Sequence, residues 1–262
     1  MIPRNYITEW KENAQWPDDA QVEQDLIIER ALIAIYQDEF LSEQLAFRGG
    51  TALHKLWLQP QVRYSEDIDL VQVTPALIGD VLSRFRKVLS FIDGKITVDR
   101  GDSMTTMNYR YLTETEPVRK MKLKIEINCR EHFSVLGYHQ MPVSISNSWF
   151  TGQANIRTYQ IEELLATKLR ALYQRRKGRD LFDLWYAITN LNPDIASIIK
   201  TYQEYIKNEG RTIRRDDFIS NMESKMNDLE FRKDTLGLLR INTVYNPDTA
   251  FQLIKSEILE NL

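Results

Sequence analysis

Apolar residues recur at helical spacing behind Asp18 and Asp19, which follow Pro17 and are placed to cap a helix. Val22, Leu26, Ile27, Ala31, Ala34 and Ile35 carry that period to about Glu43. Phe47-Arg48-Gly49-Gly50-Thr51 breaks it with a glycine pair, and a short helix over about Ala52 to Leu58 follows, ended by Pro60. At Asp67 the period changes to that of a strand. In DIDLVQV, Ile68 and Leu70 alternate with Asp67 and Asp69. Leu77 to Phe91 reads as a helix, and Lys95 to Asp99 and Thr105 to Tyr111 as strands. MKLKIEI, Met121 to Ile127, alternates cleanly and sets Lys122, Lys124 and Glu126 on one face. Strands therefore concentrate between about residues 67 and 150.

Beyond Tyr159 the pattern is helical. Gln160 to Arg176 and Arg179 to Thr189 are two helices. Asn192-Pro193-Asp194 opens a third, to about Asn208, and Asn246-Pro247-Asp248 opens a last one to the C-terminus. The expected architecture is α/β (or α+β). Residues 1–155 form a mixed sheet with flanking helices. Residues 156–262 form a mainly helical domain that completes an active-site cleft. The two meet at a composition shift, not at a low-complexity tether, and no internal repeat is visible.

Composition narrows the chemistry. With 43% hydrophobic and 27% charged residues among 262, the chain is an ordinary globular protein with enough apolar material for a core. No apolar run approaches a membrane span, and MIPRNYITEWKENAQW lacks the apolar stretch of a secretory signal, so a cytoplasmic protein is expected. Cys129 stands alone, which excludes an intramolecular disulfide and a cysteine-rich zinc site; it reads as a small buried hydrophobe. His54, His132 and His139 are scattered, so any metal must be bound by oxygen, which points to Mg2+ or Mn2+. A net charge of −3 means that any nucleic-acid contact must use a local patch. Trp57, Phe133, Tyr173 and Trp185 read as core residues, not as base-stacking platforms.

Three segments form one constellation: Gly49-Gly50-Thr51, then Ser65-Glu66-Asp67-Ile68-Asp69, then Glu126. Residues i and i+2 of a strand share a face, so Asp67 and Asp69 point the same way. Glu126 converges on them if its strand is a neighbour. Converging carboxylates repel one another unless a cation lies between them, and Mg2+ is suited to one or two carboxylates plus substrate phosphates. The glycine pair offers a bare turn whose N–H groups suit a phosphate, with the Thr51 and Ser65 hydroxyls beside it. Taken singly, each motif is more often a solvated strand edge or a plain turn; in this order they point to phosphoryl chemistry.

FRGGTALHKLWLQPQVRYSEDIDLV resembles the glycine-turn and acid motif of the DNA polymerase beta-like nucleotidyltransferase superfamily, and KLKIEIN resembles the strand bearing its third acid. The longer string RGGTAL…RYSEDIDL is similar to the AbiEii-type nucleotidyltransferase toxins of bacterial type IV toxin–antitoxin and abortive-infection systems. The resemblance runs in blocks from about Phe47 to Ala187 and leaves the last quarter of the chain uncovered.

In the helical half, Ile161, Leu164, Leu165 and Leu172 mark an apolar stripe, and Lys168 sits on or beside it. A lysine there is either a snorkelling side chain at a seam or a cation for the triphosphate; the second reading is preferred. Asp180 and Asp183 share a helix face, Asp180 as a helix cap and Asp183 as a partner of Lys168 or of substrate. ATKLRALYQRRKGRDLFDLW resembles the lysine and aspartate motifs of the same toxins, which implies that Lys168 and Asp183 belong to the active site. The basic run Arg175, Arg176, Lys177 and Arg179 is either a solvated face or a contact for nucleotide or RNA phosphates. Lys122 and Lys124, with Arg119 and Lys120 nearby, offer a second electropositive region on the face of Glu126.

The expected reaction is transfer of a nucleoside monophosphate from an NTP to an acceptor hydroxyl. Asp67, Asp69 and Glu126 would hold the metal, Gly49, Gly50, Thr51 and Ser65 would cradle the phosphates, and Lys168 would pair with them. The resemblance implies more: a growth-arresting toxin acting on the 3′ end of tRNA, and a cognate antitoxin encoded nearby whose direct binding is not required. Two other classes remain open. One is a nucleotidyltransferase with a small-molecule (antibiotic-type) or protein acceptor; the other is a catalytically silent nucleotide-binding protein.

Overall fold

A computed structural model describes residues 2–262. The chain divides into two compact units, Met1–Phe133 with Tyr138–Tyr159, and Ser134–Gly137 with Gln160–Leu262.

The first unit opens with helix α1 (Arg4–Trp10), whose Ile7 and Trp10 are buried. Helix α2 (Asp19–Gln37) follows, capped by the Asp18 carboxylate, which accepts from the Ala20 N–H. Leu26, Ile27, Ile28, Leu32, Ile33 and Ile35 are all fully buried, so α2 is enclosed on nearly every side and not only along the stripe its spacing suggests. It stops six residues before the expected Glu43. Asp38 breaks the helix and caps a separate one, α3 (Glu39–Gln44), by accepting from the Leu41 N–H. Strand β1 (Leu45–Arg48) comes next, then helix α4 (Gly49–Ala52), which runs on through a π-helical turn at Leu53–Trp57. The helix after the glycine pair thus starts at Gly49 itself, not at Ala52.

Strand β2 (Asp67–Gln72), helix α5 (Ile78–Val88) and strands β3 (Lys95–Arg100), β4 (Met104–Leu112) and β5 (Lys120–Asn128) lie close to their expected positions. Strands β6 (Tyr138–Asn147) and β7 (Phe150–Tyr159) complete the unit as a hairpin, with Asn147 facing Phe150 across a two-residue turn. All seven strands form one sheet in the order β3-β4-β5-β2-β1-β7-β6. It is mixed: β2 runs parallel to β5 and β1 to β7, while the other neighbours are antiparallel. Ile68, Leu70, Met107, Tyr109, Leu123, Ile125 and Ile127 bury one face of its centre. The alternate residues Asp67, Asp69, Lys124 and Glu126 are left half-exposed on the other.

Glu23 of α2 is fully buried and accepts the Glu114 N–H at 3.2 and 3.1 Å. Burial pushes its carboxyl from 4.5 up to about 7, against hydrogen bonds from Thr115 that act the other way. A folded-state value above the unfolded one means that Glu23 contributes stability at pH 4.5 and below. That contribution fades as pH rises to about 7, with no further change above. Urea unfolding between pH 4.5 and 8 should show this loss in the native protein. A Glu23→Gln variant should lack it, and parallel pH profiles for the two would contradict the assignment.

The second unit is helical: α6 (Ile161–Gln174), α7 (Gly178–Leu191), α8 (Ile195–Asn208), α9 (Arg215–Met226), α10 (Leu229–Lys233) and α11 (Pro247–Glu257). The two Asn-Pro-Asp signals work as start signals through different residues. Asp194 caps α8, accepting from Ala196 and Ser197, whereas Asn246 caps α11, accepting from Asp248 and Thr249. Asn192 ends α7 in the left-handed conformation, φ 48°. The Glu163 carboxylate takes Ser134 Oγ, the Val135 and Leu136 N–H groups and Tyr205 OH, all between 2.7 and 2.8 Å, so the excursion Ser134–Gly137 is held by one buried acid.

Candidate active site

The register of the sheet brings the acids together. Asp69 of β2 faces Arg48 of β1 on one side and Glu126 of β5 on the other, and Asp67 faces Lys124. Facing residues on adjacent strands are about 5 Å apart, so Asp69 and Glu126 are direct neighbours and Asp67 lies one pleat away on the same face. The convergence expected of Glu126 follows from the parallel β2–β5 pairing.

The glycine turn is built against this row. Gly49 directly follows Arg48 and has φ +81°, a conformation that side chains with a Cβ rarely adopt. A Cβ placed on it would stand 2.1 Å from Asp69 Oδ2. Backbone and carboxylate therefore approach as closely as the absence of a side chain permits. Thr51, 1% exposed, fixes the turn from behind: its hydroxyl donates to the Asp67 carbonyl and lies 2.8 Å from Ser65 Oγ. The Thr51 hydroxyl is thus engaged inside the fold, tying the start of α4 to the start of β2, while Ser65 is half-exposed.

Two cations flank the acids. Arg48 is locked to Glu131 at 2.6 Å. Burial opposes its charge, but Tyr159, Glu131 and Asp69 outweigh it and hold the guanidinium above its ordinary range. Lys124 places Nζ 3.3 Å from Asp67 Oδ2 and 2.9 Å from Glu126 Oε2. Its partial burial acts against the charge, and the two carboxylates reverse that and raise its pKa. Among the described residues, no three acidic, histidine or cysteine side chains close into a metal cage. The donor set still fits Mg2+ or Mn2+, because such ions take one or two carboxylates and complete their shell with water and substrate phosphate.

Continuing along the same face, Lys122 of β5 faces Arg110 of β4, which faces Lys95 of β3. All three are exposed, and among the described residues none forms an ion pair; Arg110 donates only to Thr97 Oγ1, at 2.9 Å. This cationic row starts four residues, about 13 Å, from Glu126 along β5. Sequence spacing indicated Lys122 but not Lys95 or Arg110, because only strand order brings the three together.

In the helical unit, Lys168 Nζ lies 3.0 Å from Asp180 Oδ1 and 2.9 Å from Asp183 Oδ2, with both carboxylates fully buried. Asp183 thus pairs with Lys168, as one of its two expected roles requires. Asp180 does not cap α7 as expected: the N-cap position is Lys177, with no side-chain cap bond, and the Asp180 carboxylate turns to cations instead. Arg175 grips it at 2.6 and 2.8 Å, and although burial pushes its carboxyl up, Lys168 and Arg175 hold it below the usual range. The rest of the basic run is matched too: Arg176 with Asp228, and Lys177 and Arg179 with Asp234. These charges are compensated within their own unit, in contrast to the row on the sheet.

Other candidates fall as follows. His54 is buried, His132 Nδ1 lies 2.9 Å from the Gln72 carbonyl, and His139 sits against the Trp57 ring. Cys129 is half-buried, not fully enclosed, with Sγ 3.4 Å from the Ile127 carbonyl. Trp57, Phe133, Tyr173 and Trp185 are half-buried. Tyr173 packs on Phe218, and Trp185 on Phe182, Tyr186 and Tyr245. Among the described residues no helix is long and apolar enough to cross a membrane.

Residues 30–252 match the family described as nucleotidyl transferase AbiEii toxin, type IV toxin–antitoxin system. No curated protein matches the chain by sequence. The structure is similar to MenT4, a nucleotidyltransferase toxin of Mycobacterium tuberculosis H37Rv, with TM-score 0.67 and 16% identity over 100% of this chain and 91% of that one. It is also similar to a protein of H. pylori described as a nucleotidyltransferase, with TM-score 0.56 and 20% identity over 93% of this chain and 98% of that one. At these identities the two structures establish a shared fold.

Proposed function

This chain belongs to the AbiEii family of nucleotidyltransferase toxins of type IV toxin–antitoxin systems, and from that premise we propose that Asp67, Asp69 and Glu126 carry the transfer of a nucleoside monophosphate to the 3′ end of tRNA. Family membership makes the chain a nucleotidyltransferase with an NTP substrate, usually a divalent metal, and a cognate antitoxin. The site residues, the identity of the metal, the RNA acceptor and the resulting block of translation and growth in the cytoplasm are the proposal.

The observation that carries it is the contact between a left-handed Gly49 and Asp69, with Glu126 in register beside them. A divalent ion, when bound, neutralises triphosphate charge and favours ionisation of the attacking hydroxyl. Asp67 and Asp69 would hold that ion with help from Glu126, which would also orient the acceptor hydroxyl. Gly49 and Gly50 leave the backbone bare for the phosphates, with Ser65 as a hydroxyl donor; Thr51 holds the turn in place. The hydroxyl oxygen bonds to the α-phosphorus, the bond to the bridging oxygen breaks, and pyrophosphate leaves. The contribution of these residues is positioning and charge compensation. Lys168 and Asp183 enter as a pair, on the resemblance of their motif: Asp180 and Asp183 fix the Lys168 ammonium in one place.

An RNA acceptor is favoured by the uncompensated row Lys95, Arg110 and Lys122 on the face that carries the acids. Gel-shift titration of tRNA across a salt series tests this. Losing three single-strand phosphate contacts should flatten the log–log salt slope by about 2. Replacement of all three by Gln should produce that change, whereas Gln at Arg176, Lys177 and Arg179 should leave the slope near that of the native protein. The opposite pattern would move the RNA to the helical unit, and no tRNA binding by the native protein would redirect the search to protein or small-molecule acceptors.

A further inference from the structure

The ammonium of Lys124 lies between Asp67 and Glu126, 3.3 and 2.9 Å from their carboxylate oxygens. These separations suit a hydrogen-bonded ammonium. A divalent ion such as Mg2+ binds oxygen at about 2.1 Å and needs the same lone pairs. Ammonium and metal therefore compete for one place. The other cation at the site cannot yield in the same way, because Arg48 is pinned by Glu131 at 2.6 Å. Lys124 has an unbranched, flexible stem and is 27% exposed, so its charge can swing into solvent or onto an incoming anion.

We propose that Lys124 is the resident counter-ion of the acid cluster, displaced when metal binds, and that it thereby couples metal loading to nucleotide binding. This rests on the reading of Asp67, Asp69 and Glu126 as metal ligands. Without nucleotide, the lysine neutralises the acids and keeps metal affinity low. A triphosphate gives the displaced ammonium a new anionic partner, so metal and nucleotide each favour the other's binding. Lys124 is a positioning residue here, and its effect is legible in metal affinity without turnover.

The experiment is Mn2+ titration of the nucleotide-free full-length protein, with free Mn2+ read by electron paramagnetic resonance and folding checked by circular dichroism. Lys124→Met should bind Mn2+ about fivefold or more tightly than the native protein, the scale of one partly exposed ion pair. Lys124→Arg keeps the charge and should stay near the native affinity. Adding a non-hydrolysable nucleoside triphosphate should tighten Mn2+ binding more in the native protein than in Lys124→Met. Asp69→Asn separates the two levels of the argument. If Asp69→Asn weakens Mn2+ binding while Lys124→Met leaves it unchanged or weaker, the counter-ion role is wrong and the metal site stands. If Asp69→Asn binds Mn2+ as the native protein does, the metal-site reading falls and the role of Lys124 falls with it.

Discussion

Asp69→Asn should reduce nucleotidyl transfer by about 10^3-fold or more while leaving the fold intact. The size follows from removing a preorganised charge that acts where negative charge develops in the transition state. The fold should survive because Asp69 is half-exposed and its removal opens no apolar cavity. Unfolding should therefore shift by no more than about 1 kcal/mol. Asp67→Asn should behave similarly. An α-phosphate-labelled NTP with acceptor RNA provides the assay, and denaturant unfolding provides the control. Substantial transfer by a folded Asp69→Asn would remove this carboxylate from the chemistry.

The second large effect is expected at Gly49, where Ala should lower transfer nearly as far and also destabilise the protein. Two costs act together. The backbone sits at φ +81°, and the added Cβ would lie 2.1 Å from Asp69 Oδ2, so the acid must move. Strain of this kind costs on the order of 1–3 kcal/mol. Gly137 supplies the control: it has the same φ of +81°, but a Cβ there meets nothing within 4 Å. Gly137→Ala should lose only the conformational part, about 1–2 kcal/mol, and keep its activity. Equal loss of transfer in both variants would mean that general destabilisation, not the displaced carboxylate, explains Gly49→Ala.

The parts of this site that were legible in the sequence are those governed by local period. DIDLVQV and MKLKIEI alternate so clearly that the faces of Asp67, Asp69 and Glu126 could be assigned before any pairing was known. The pairing itself was not legible. That β5 lies parallel beside β2 is a matter of topology, and only this places Glu126 opposite Asp69 and Lys124 opposite Asp67. Strand β1 went unseen because Leu45, Ala46 and Phe47 are buried in succession between two neighbours, without the alternation that marks a half-exposed strand. The β6–β7 hairpin carries a weaker form of the strand signal: Val143 and Ile145, then Ala154 and Ile156, alternate with polar residues, but small side chains and few fully buried positions dilute it. Asp38 separates α2 from α3 by capping the second, a break that helical periodicity on both sides conceals.

Charge was the least legible property. Arg175, Arg176, Lys177 and Arg179 form the most basic stretch by eye, yet Asp180, Asp228 and Asp234 compensate them, two of these from distant points of the chain. Lys95, Arg110 and Lys122 are far apart in sequence, and strand order alone aligns them. A linear run of like charge reports composition; a patch is decided by which acids the fold brings near.

The most direct test of the central claim, that the metal–triphosphate site lies on the acid face of the sheet, is affinity cleavage. Fe2+ replaces Mg2+ in the presence of a non-hydrolysable NTP, ascorbate and peroxide generate radicals at the bound ion, and the backbone breaks are mapped by mass spectrometry. Cuts should cluster at Arg48–Gly50, Ser65–Asp69 and Lys124–Glu126, and disappear in Asp69→Asn. Cuts confined to the neighbourhood of Asp180 and Asp183, unchanged in Asp69→Asn, would place the ion in the helical unit and contradict the account.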